Sequence, residues 1–172
     1  AVSKFEAEKI LWEISANTGL EVVVVRIPLV YGYGAKGNLK HLMKLINFGV
    51  PLPFNNVNNK RSLIGIDNLV DVLIHCADHP NAAGKTFLVS DGEDLSTPKL
   101  INYIALEMGR SSRLFSIPTP LIKFFGYILG RQKEIDRLVG SLQVDNSYAK
   151  QILNWRPRIS LEEGMRRMVK GK

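Results

Sequence analysis

The chain has 172 residues, of which 45% are hydrophobic and 23% charged, and its formal net charge is +7. This length allows one sizeable core, or one core with a small lobe, and no apolar run approaches the ~20 residues of a membrane-spanning helix. The single cysteine, Cys76, excludes an internal disulfide and is compatible with the cytoplasm, where we expect the protein. No basic stripe carries interleaved aromatic residues, so we expect a solvated basic surface and not a nucleic-acid partner.

The first predicted element is an amphipathic helix that stops before Gly19. We expect one of its sides to pack and the other to carry charge, because apolar residues recur at helical spacing at Val2, Phe5, Ile10, Leu11, Trp12 and Ile14. A continuous β-branched run over residues 21–28 predicts a parallel strand covered on both faces and ended by Pro28. Arg26 lies near the end of this strand, where a charge needs a partner.

Helices and strands alternate in the rest of the prediction. Helices are expected over residues 38–48, 67–79, 97–108, 118–129, 147–153 and from 160 onward, and strands over 61–66 and 86–89. The expected N-caps are Asn38, Asp67, Thr97 and Ser160. The apolar stretch 118–129 is too short to span a membrane, so we expect a buried helix, with docking on a membrane surface as the alternative.

Two motifs resemble a known family. Lys4 follows Ala1-Val2-Ser3, and residues 26–32 read Arg-Ile-Pro-Leu-Val-Tyr-Gly. Both features resemble the extended short-chain dehydrogenases, which include nucleotide-sugar epimerases, dehydratases and 4-keto reductases. Their signature is Tyr-x-x-x-Lys on a helix, followed by a strand that ends like Arg-x-Pro-x-Val-Tyr-Gly. Residues 61–68 are also similar to a family motif, and residues 137–145 look most like the branch acting on UDP-N-acetylhexosamines in bacterial surface-polysaccharide synthesis.

The resemblance implies an α/β fold: the C-terminal part of a Rossmann-like parallel sheet with a smaller mixed α/β lobe that binds the substrate. Residues 1–35 would end the dinucleotide-binding domain. Residues 36–172 would form mostly the substrate lobe, with segments near 61–90 returning to the Rossmann sheet. The implied cofactor is NAD or NADP, the implied substrate is a UDP-sugar, and a homodimer is possible. With one cysteine and no clustered acids, we expect no metal site.

The resemblance places three residues at the cofactor. Lys4 would lower the pKa of a catalytic tyrosine just before Ala1 and would donate to the nicotinamide ribose. Pro28 and Leu29 would lie against the nicotinamide carboxamide. The alternatives are an exposed Lys4 paired with Glu8, and a Pro28 that only ends its strand.

Three further residues would hold the nucleotide diphosphate. Arg61 and Arg137 suit this role because a guanidinium binds phosphate oxygens bidentately, and Asn38 matches a family ligand position. The alternatives are surface ion pairs for the two arginines and a helix cap for Asn38.

The predicted function is that of a nucleotide-sugar epimerase or 4-keto reductase, which moves hydride to and from a nicotinamide. A non-catalytic sensor or scaffold of the same fold is the alternative. The 172 residues contain no Gly-x-x-Gly-x-x-Gly turn and no matching catalytic tyrosine, so we expect the chain alone to have no turnover. Residues 32–37 have a similar glycine spacing, but we assign them to a substrate loop because a strand–turn–helix unit with a downstream acid is not predicted there.

Overall fold

Five short strands form two small sheets in the computed structural model, which describes residues 2–171; Ala1 of the predicted motif lies outside them. β1 (Val23–Arg26) pairs in parallel with β4 (Lys85–Leu88). β2 (Leu29–Tyr31) pairs in parallel with β3 (Arg61–Gly65), which pairs antiparallel with β5 (Asp94–Leu95). One helix joins β2 to β3, and two helices lie between β1 and β4 along the chain, so the parallel pairs confirm the predicted α/β class.

Eight helices lie within residues 2–171. They are α1 (Val2–Thr18), α2 (Asn38–Asn47), α3 (Ile66–Asp78), α4 (Thr97–Glu107), α5 (Thr119–Ile128), α6 (Gln132–Val139), α7 (Ser147–Leu153) and α8 (Leu161–Lys170). Seven of them occupy predicted segments, and α6 was not predicted. Its apolar residues Ile135, Leu138 and Val139 do stand at the helical spacing i, i+3 and i+4, so the sequence pattern was present over only eight residues.

Within the predicted strand over residues 21–28, β1 covers only Val23–Arg26, and a second strand, β2, follows Pro28. Pro28 has no N–H for a ladder, and the chain leaves β1 at Arg26 and starts β2 at Leu29 beside a different neighbour. Full coverage of both faces of β1 was also wrong for the described residues. Val24 is buried, whereas Val23 and Val25 are only partly buried.

The core has two hydrophobic clusters that meet at β3. Leu63 belongs to the cluster under α2, α4 and α8, and the next residue, Ile64, belongs to the cluster around Phe87 and Trp155. Successive residues of a strand point to opposite faces, so β3 contributes to both clusters. Trp155 is almost completely buried in the second cluster, with only 1% of it exposed.

Among the four predicted N-caps, only Ser160 is confirmed: its Oγ accepts the backbone N–H three residues later at 3.3 Å. Asn38 is already the first helical residue of α2, and the cap is Gly37, whose φ of 65° suits glycine. Asp67 lies in the first turn of α3, and the cap is Gly65. An early acidic residue still stabilises the N-terminus of a helix through its dipole.

The cap of α4 is Ser96 and not Thr97. The Ser96 hydroxyl accepts the N–H of Lys99 at 3.4 Å. Thr97 makes tertiary contacts instead: its N–H donates to Asn59 Oδ1 at 2.8 Å, and its hydroxyl donates to the carbonyl of Leu138. The sequence pattern could not distinguish two adjacent hydroxyl residues with such different partners.

Two apolar helices are exposed in the described part of the chain, against expectation. No residue of α1 is buried, and only Trp12 of the predicted apolar side is partly buried, together with Glu8 and Ser15. The expectation that α5 is buried was wrong, since only Ile122 and Gly126 of this helix are buried. No helix among residues 2–171 has the length and hydropathy that crossing a membrane requires.

Candidate functional site

Arg61 opens β3 and reaches the C-terminal end of α6. Its backbone lies between Leu95 of β5 and Leu142, which forms a parallel bridge with it. The Arg61 Nη1 group donates to the carbonyl of Arg137 and to that of Gly140, the latter at 3.2 Å. The last carbonyls of a helix lack helical partners, so Arg61 stabilises the end of α6.

The contact brings Arg61 and Arg137 together, as the site prediction requires. Burial, and secondly the positive charge of Arg137, lower the pKa of Arg61. A guanidinium nevertheless stays protonated at neutral pH. No carboxylate among residues 2–171 forms an ion pair with either guanidinium, so the predicted surface ion pairs are not seen. Two neighbouring cations without a carboxylate partner form an arrangement that can bind an anion such as phosphate.

Asn59 holds the end of α6 in place behind these arginines. Its side chain is buried, and Nδ2 lies 3.0 Å from the carbonyl of Leu138 and 2.9 Å from that of Gly140. The same amide nitrogen lies 3.1 Å from Thr97 Oγ1, while Oδ1 accepts the Thr97 N–H. The side-chain amide of Asn59, two residues before β3, therefore connects the start of this strand to α4 and α6.

The segment that follows α6 is tied along β3 by backbone and side-chain bonds. The Leu142 N–H donates to the Lys60 carbonyl at 2.9 Å, and the Ser62 N–H donates to the Leu142 carbonyl at 2.8 Å. The Ser62 hydroxyl accepts the Val144 N–H at 2.8 Å and donates to Asp94 Oδ1 at 2.5 Å. These bonds fix the position of Arg137 relative to Arg61.

Lys4 lies in the first turn of α1 and is exposed. The alternative pairing with Glu8 is not seen, because Glu8 accepts from Arg26 at 2.6 Å. That ion pair confirms that Arg26 has a partner, and it lowers the pKa of Glu8, mainly through the hydrogen bond.

The Glu8–Arg26 pair also orients the start of α1. Residues four apart share one helix face, so Lys4 lies on the face that meets the carboxyl end of β1. Pro28 and Leu29, both partly buried, follow directly after that end. Ligands of open α/β sheets bind outside the carboxyl ends of parallel strands, and Pro28 and Leu29 directly follow such an end, while Lys4 shares the helix face of Glu8.

Asn38 is partly buried at the start of α2, and no hydrogen bond within residues 2–171 joins its side chain to Arg61 or Arg137. The glycine-spaced residues 32–37 do connect a strand, β2, to this helix. The expectation that residues 32–37 do not belong to a strand–turn–helix unit was therefore wrong. No acidic residue occurs between Glu21 and Asp67, so the downstream acid of a dinucleotide-binding turn is absent at the expected distance.

The contribution of Asn59 was not predicted, because this residue is one of four asparagines within residues 55–59. Asn58 next to it is exposed, and Asn59 is buried. A polar residue two positions before a buried strand is a weak signal of a buried hydrogen-bonding role. Only the contacts with α4 and α6 distinguish Asn59 from Asn58.

Comparison with known proteins gives consistent results. Residues 1–90 match the NAD dependent epimerase/dehydratase family. A UDP-glucose 4-epimerase from Vibrio cholerae is 43% identical over 166 residues, which are 96% of this chain and 51% of that protein. An epimerase structure from Methanothermobacter thermautotrophicus has a TM-score of 0.77 at 16% identity, covering 98% of this chain and 48% of the other. The UDP-N-acetylglucosamine 4-epimerase structure from Bacillus cereus has a TM-score of 0.74 at 19% identity, covering 98% and 52%.

The chain thus spans about half the length of the relatives that it matches. The structural likeness confirms the Rossmann-like α/β fold, and the predicted cofactor, NAD, is the one in the family's description. The family match extends over more than half of the 172 residues. The chain belongs to the NAD dependent epimerase/dehydratase family.

Proposed function

We propose that the complete protein is a nucleotide-sugar epimerase or 4-keto reductase, and that this chain supplies its diphosphate site and its catalytic lysine. The observation that carries the proposal is the pair formed by Arg61 and Arg137: the Arg61 guanidinium donates to the Arg137 carbonyl and has its pKa lowered partly by the Arg137 charge, and neither side chain has a carboxylate partner in the described residues. A sugar nucleotide offers this pair the phosphate oxygens that it is suited to bind.

The charge distribution around β3 supports an anionic substrate. Residues 22–66 contain six cations, Arg26, Lys36, Lys40, Lys44, Lys60 and Arg61, and no acidic residue. A surface with one sign of charge attracts ligands of the opposite sign. The name of the Vibrio cholerae relative contains a UDP-sugar. We therefore propose a UDP-hexose or UDP-N-acetylhexosamine as substrate, with Asn38 as an additional ligand at the start of α2.

The residues at the carboxyl end of β1 fit a nicotinamide cofactor. A bound nicotinamide would accept a hydride from the sugar and return it. Lys4 would hold the ribose hydroxyls through its ammonium donors and would stabilise the phenolate of the family's tyrosine. Pro28 and Leu29 would offer backbone at the carboxamide. Residues 1–35 would then belong to the dinucleotide-binding domain, as would segments near residues 61–90, and the rest to the substrate lobe.

The arginine pair is tested by binding of UDP to the complete protein, measured by calorimetry. Arg137→Ala should weaken binding about tenfold or more, because it removes a charge-assisted contact to phosphate. Arg131→Ala is the matched control, since Arg131 is an exposed arginine that directly precedes the same helix and pairs with Glu134. Equal affinity of Arg137→Ala and wild type would contradict the proposal.

Lys4→Met distinguishes the enzyme from a non-catalytic sensor or scaffold. We expect this variant to bind UDP normally and to lose turnover of the UDP-sugar, because Lys4 is proposed to act at the nicotinamide. Turnover equal to that of the wild type would remove Lys4 from the mechanism.

The 172-residue chain alone should bind NAD weakly and show no turnover. A cytoplasmic location and a homodimer also stay predictions.

A further inference from the structure

A carboxylate on β5 reaches across β3 to the segment that follows α6. β3 lies between two partners, because Ser62 pairs with Asp94 of β5 on one side, and Arg61 forms a parallel bridge with Leu142 on the other. The Asp94 carboxylate accepts the Ser62 hydroxyl at Oδ1 over 2.5 Å and the side-chain amide of Gln143 at Oδ2 over 2.6 Å. Asp94 thus joins β5 to β3 and to the segment after α6.

Asp94 also fixes the direction of the Ser62 hydroxyl. Ser62 is only 2% exposed, and a hydroxyl has a single proton to donate. Because that proton is directed at Asp94, a lone pair of the same oxygen accepts the Val144 N–H over 2.8 Å. Without the carboxylate the hydroxyl would lose its acceptor and could rotate away from Val144. Two of the bonds that hold residues 143–144 beside β3 therefore depend on Asp94.

The segment that Asp94 holds directly continues α6, the helix that carries Arg137. Gln143 follows Arg137 by only six residues. Three residues after Asp94, the Thr97 hydroxyl donates to the Leu138 carbonyl near the end of the same helix. β5 and the start of α4 therefore hold the end of α6 and the chain beyond it at two points.

We propose that Asp94 is a positioning residue of the diphosphate site, which acts through Arg137 by holding the chain after α6 against β3. This inference rests on the proposed function, because it takes Arg137 as a ligand of the diphosphate. Asp94 is exposed and forms no ion pair within residues 2–171. Its partners Ser62 and Gln143 are uncharged, so the contribution of this carboxylate is to hold two segments of the chain together.

The charge of Asp94 alone predicts the opposite effect on ligand binding. Asp94 lies across from Ser62, the residue that follows Arg61. A carboxylate this near a phosphate site repels the ligand, so its removal should strengthen UDP binding if Asp94 contributes only its charge. A positioning role predicts weaker binding, although a negative charge is removed. The direction of the change therefore separates the two roles.

Calorimetry of UDP binding to the complete protein tests this role. Asp94→Ala should weaken UDP binding about twofold to tenfold, the factor that corresponds to one net hydrogen bond. Asp94→Asn should bind UDP within about twofold of the wild type, because asparagine can accept from Ser62 and donate to the oxygen of a rotated Gln143 amide. Glu93→Ala is the matched control: Glu93 is the neighbouring exposed acid, forms no ion pair within residues 2–171, and its removal should not weaken binding.

Gln143→Ala removes the partner of the carboxylate at an exposed position, where a substitution perturbs folding least. This variant should weaken UDP binding in the same direction as Asp94→Ala and by a smaller factor, since the bond between Asp94 and Ser62 stays. It decides the question if Asp94→Ala does not fold. Affinity of Gln143→Ala equal to that of the wild type would then overturn the proposal.

A double-mutant cycle with Arg137→Ala shows whether Asp94 acts through that arginine. If it does, Asp94→Ala should not weaken UDP binding further in the Arg137→Ala background. The proposal is overturned if Asp94→Ala binds UDP as tightly as the wild type or more tightly, if Asp94→Asn is as weak as Asp94→Ala, or if the effects of the two alanine substitutions add. Failure of the proposed function gives a different result, because Arg137→Ala alone would then bind UDP like the wild type.

Discussion

The Tyr31 hydroxyl donates a 2.6 Å hydrogen bond to Oδ2 of Asp91, a residue sixty positions further along the chain. The same carboxylate accepts the Gly65 N–H at 3.0 Å and the Asn68 side-chain amide at 2.8 Å. Asn68 Oδ1 in turn accepts the backbone N–H of Ile159 at 3.0 Å. One partly buried carboxylate therefore joins the ends of β2 and β3 and, through Asn68, the segment before α8.

Tyr31→Phe should lower the free energy of unfolding by about 1.5–3 kcal/mol, because it removes a buried hydrogen bond to a charged group. Tyr33→Phe is the control: Tyr33 is two residues away and 76% exposed, and its hydroxyl should contribute little. Urea denaturation of both variants measures the difference. Equal midpoints for the two would show that the Tyr31–Asp91 bond has no net effect on stability.

The partly buried carboxylate of Asp91 makes the free energy of unfolding depend on pH. Burial raises the pKa of Asp91 above its ordinary value, and the bonds from Tyr31, Asn68 and Gly65 offset only part of this increase. The folded state therefore holds the Asp91 proton more tightly than the unfolded state does. The resulting stabilisation is complete below the unfolded pKa and is lost as the pH rises through the folded pKa.

This dependence is measured as the free energy of unfolding of the wild type minus that of Asp91→Asn, across pH about 3 to about 7. The difference should decrease as the pH rises. Other carboxylates behave oppositely, since hydrogen bonds from arginine lower the pKa of Glu8 and of Glu163, but their effects cancel in the subtraction. A difference that is constant, or that grows with pH, would refute the raised pKa of Asp91.

Gly164 allows α8 to pack directly on the Tyr31 ring. A Cβ at this position would lie 2.7 Å from the Tyr31 hydroxyl oxygen and 2.9 Å from Cε2. Gly164→Ala should therefore destabilise the fold by about 1–3 kcal/mol through overpacking. The same substitution should cost less in a Tyr31→Phe background, because the nearest atom is then gone. Additive effects in this double-mutant cycle would mean that the clash is relieved elsewhere.

Asn59→Ala should destabilise the protein by about 2–4 kcal/mol and weaken UDP binding. It leaves the Thr97 N–H without its acceptor and removes one of the two donors to each of the carbonyls of Leu138 and Gly140, and it loosens the end of α6 that carries Arg137. Asn58→Ala, one residue earlier and exposed, should change neither property. Thermal unfolding and calorimetry with UDP measure the two effects. Normal binding by a destabilised Asn59→Ala protein would separate this amide from the site.

Local patterns predicted the parts of the structure that depend on neighbours in sequence. The β-branched run before Arg26 does form strand, and Ser160 caps α8 because its partner is three residues away. That α5 is mostly exposed could not be predicted in this way. Its apolar content is high on every side, so periodicity does not show which face meets α6.

The roles proposed for the site residues stay predictions, and what the structure shows is their placement. The family motif indicated Arg61 and Arg137, and the Arg61 side chain contacts the Arg137 carbonyl. The contacts of Asn59 and the Tyr31–Asp91 bond join residues far apart in sequence, and no local pattern encodes such pairs. The sequence suggested a Lys4–Glu8 pair, whereas Glu8 pairs with Arg26.

Arg61 and Arg137 should differ in their effects on stability, although both are proposed to bind the diphosphate. Arg61→Ala removes the donor to two carbonyls at the end of α6, and it should lower the free energy of unfolding by about 1–3 kcal/mol as well as weaken UDP binding. The Arg137 side chain is exposed and makes no hydrogen bond within residues 2–171, so Arg137→Ala should weaken UDP binding and leave stability unchanged. Urea denaturation and calorimetry with UDP on both variants provide the comparison. If Arg61→Ala lost stability but bound UDP like the wild type, Arg61 would be a structural residue that positions α6, and Arg137 alone would remain as the diphosphate ligand.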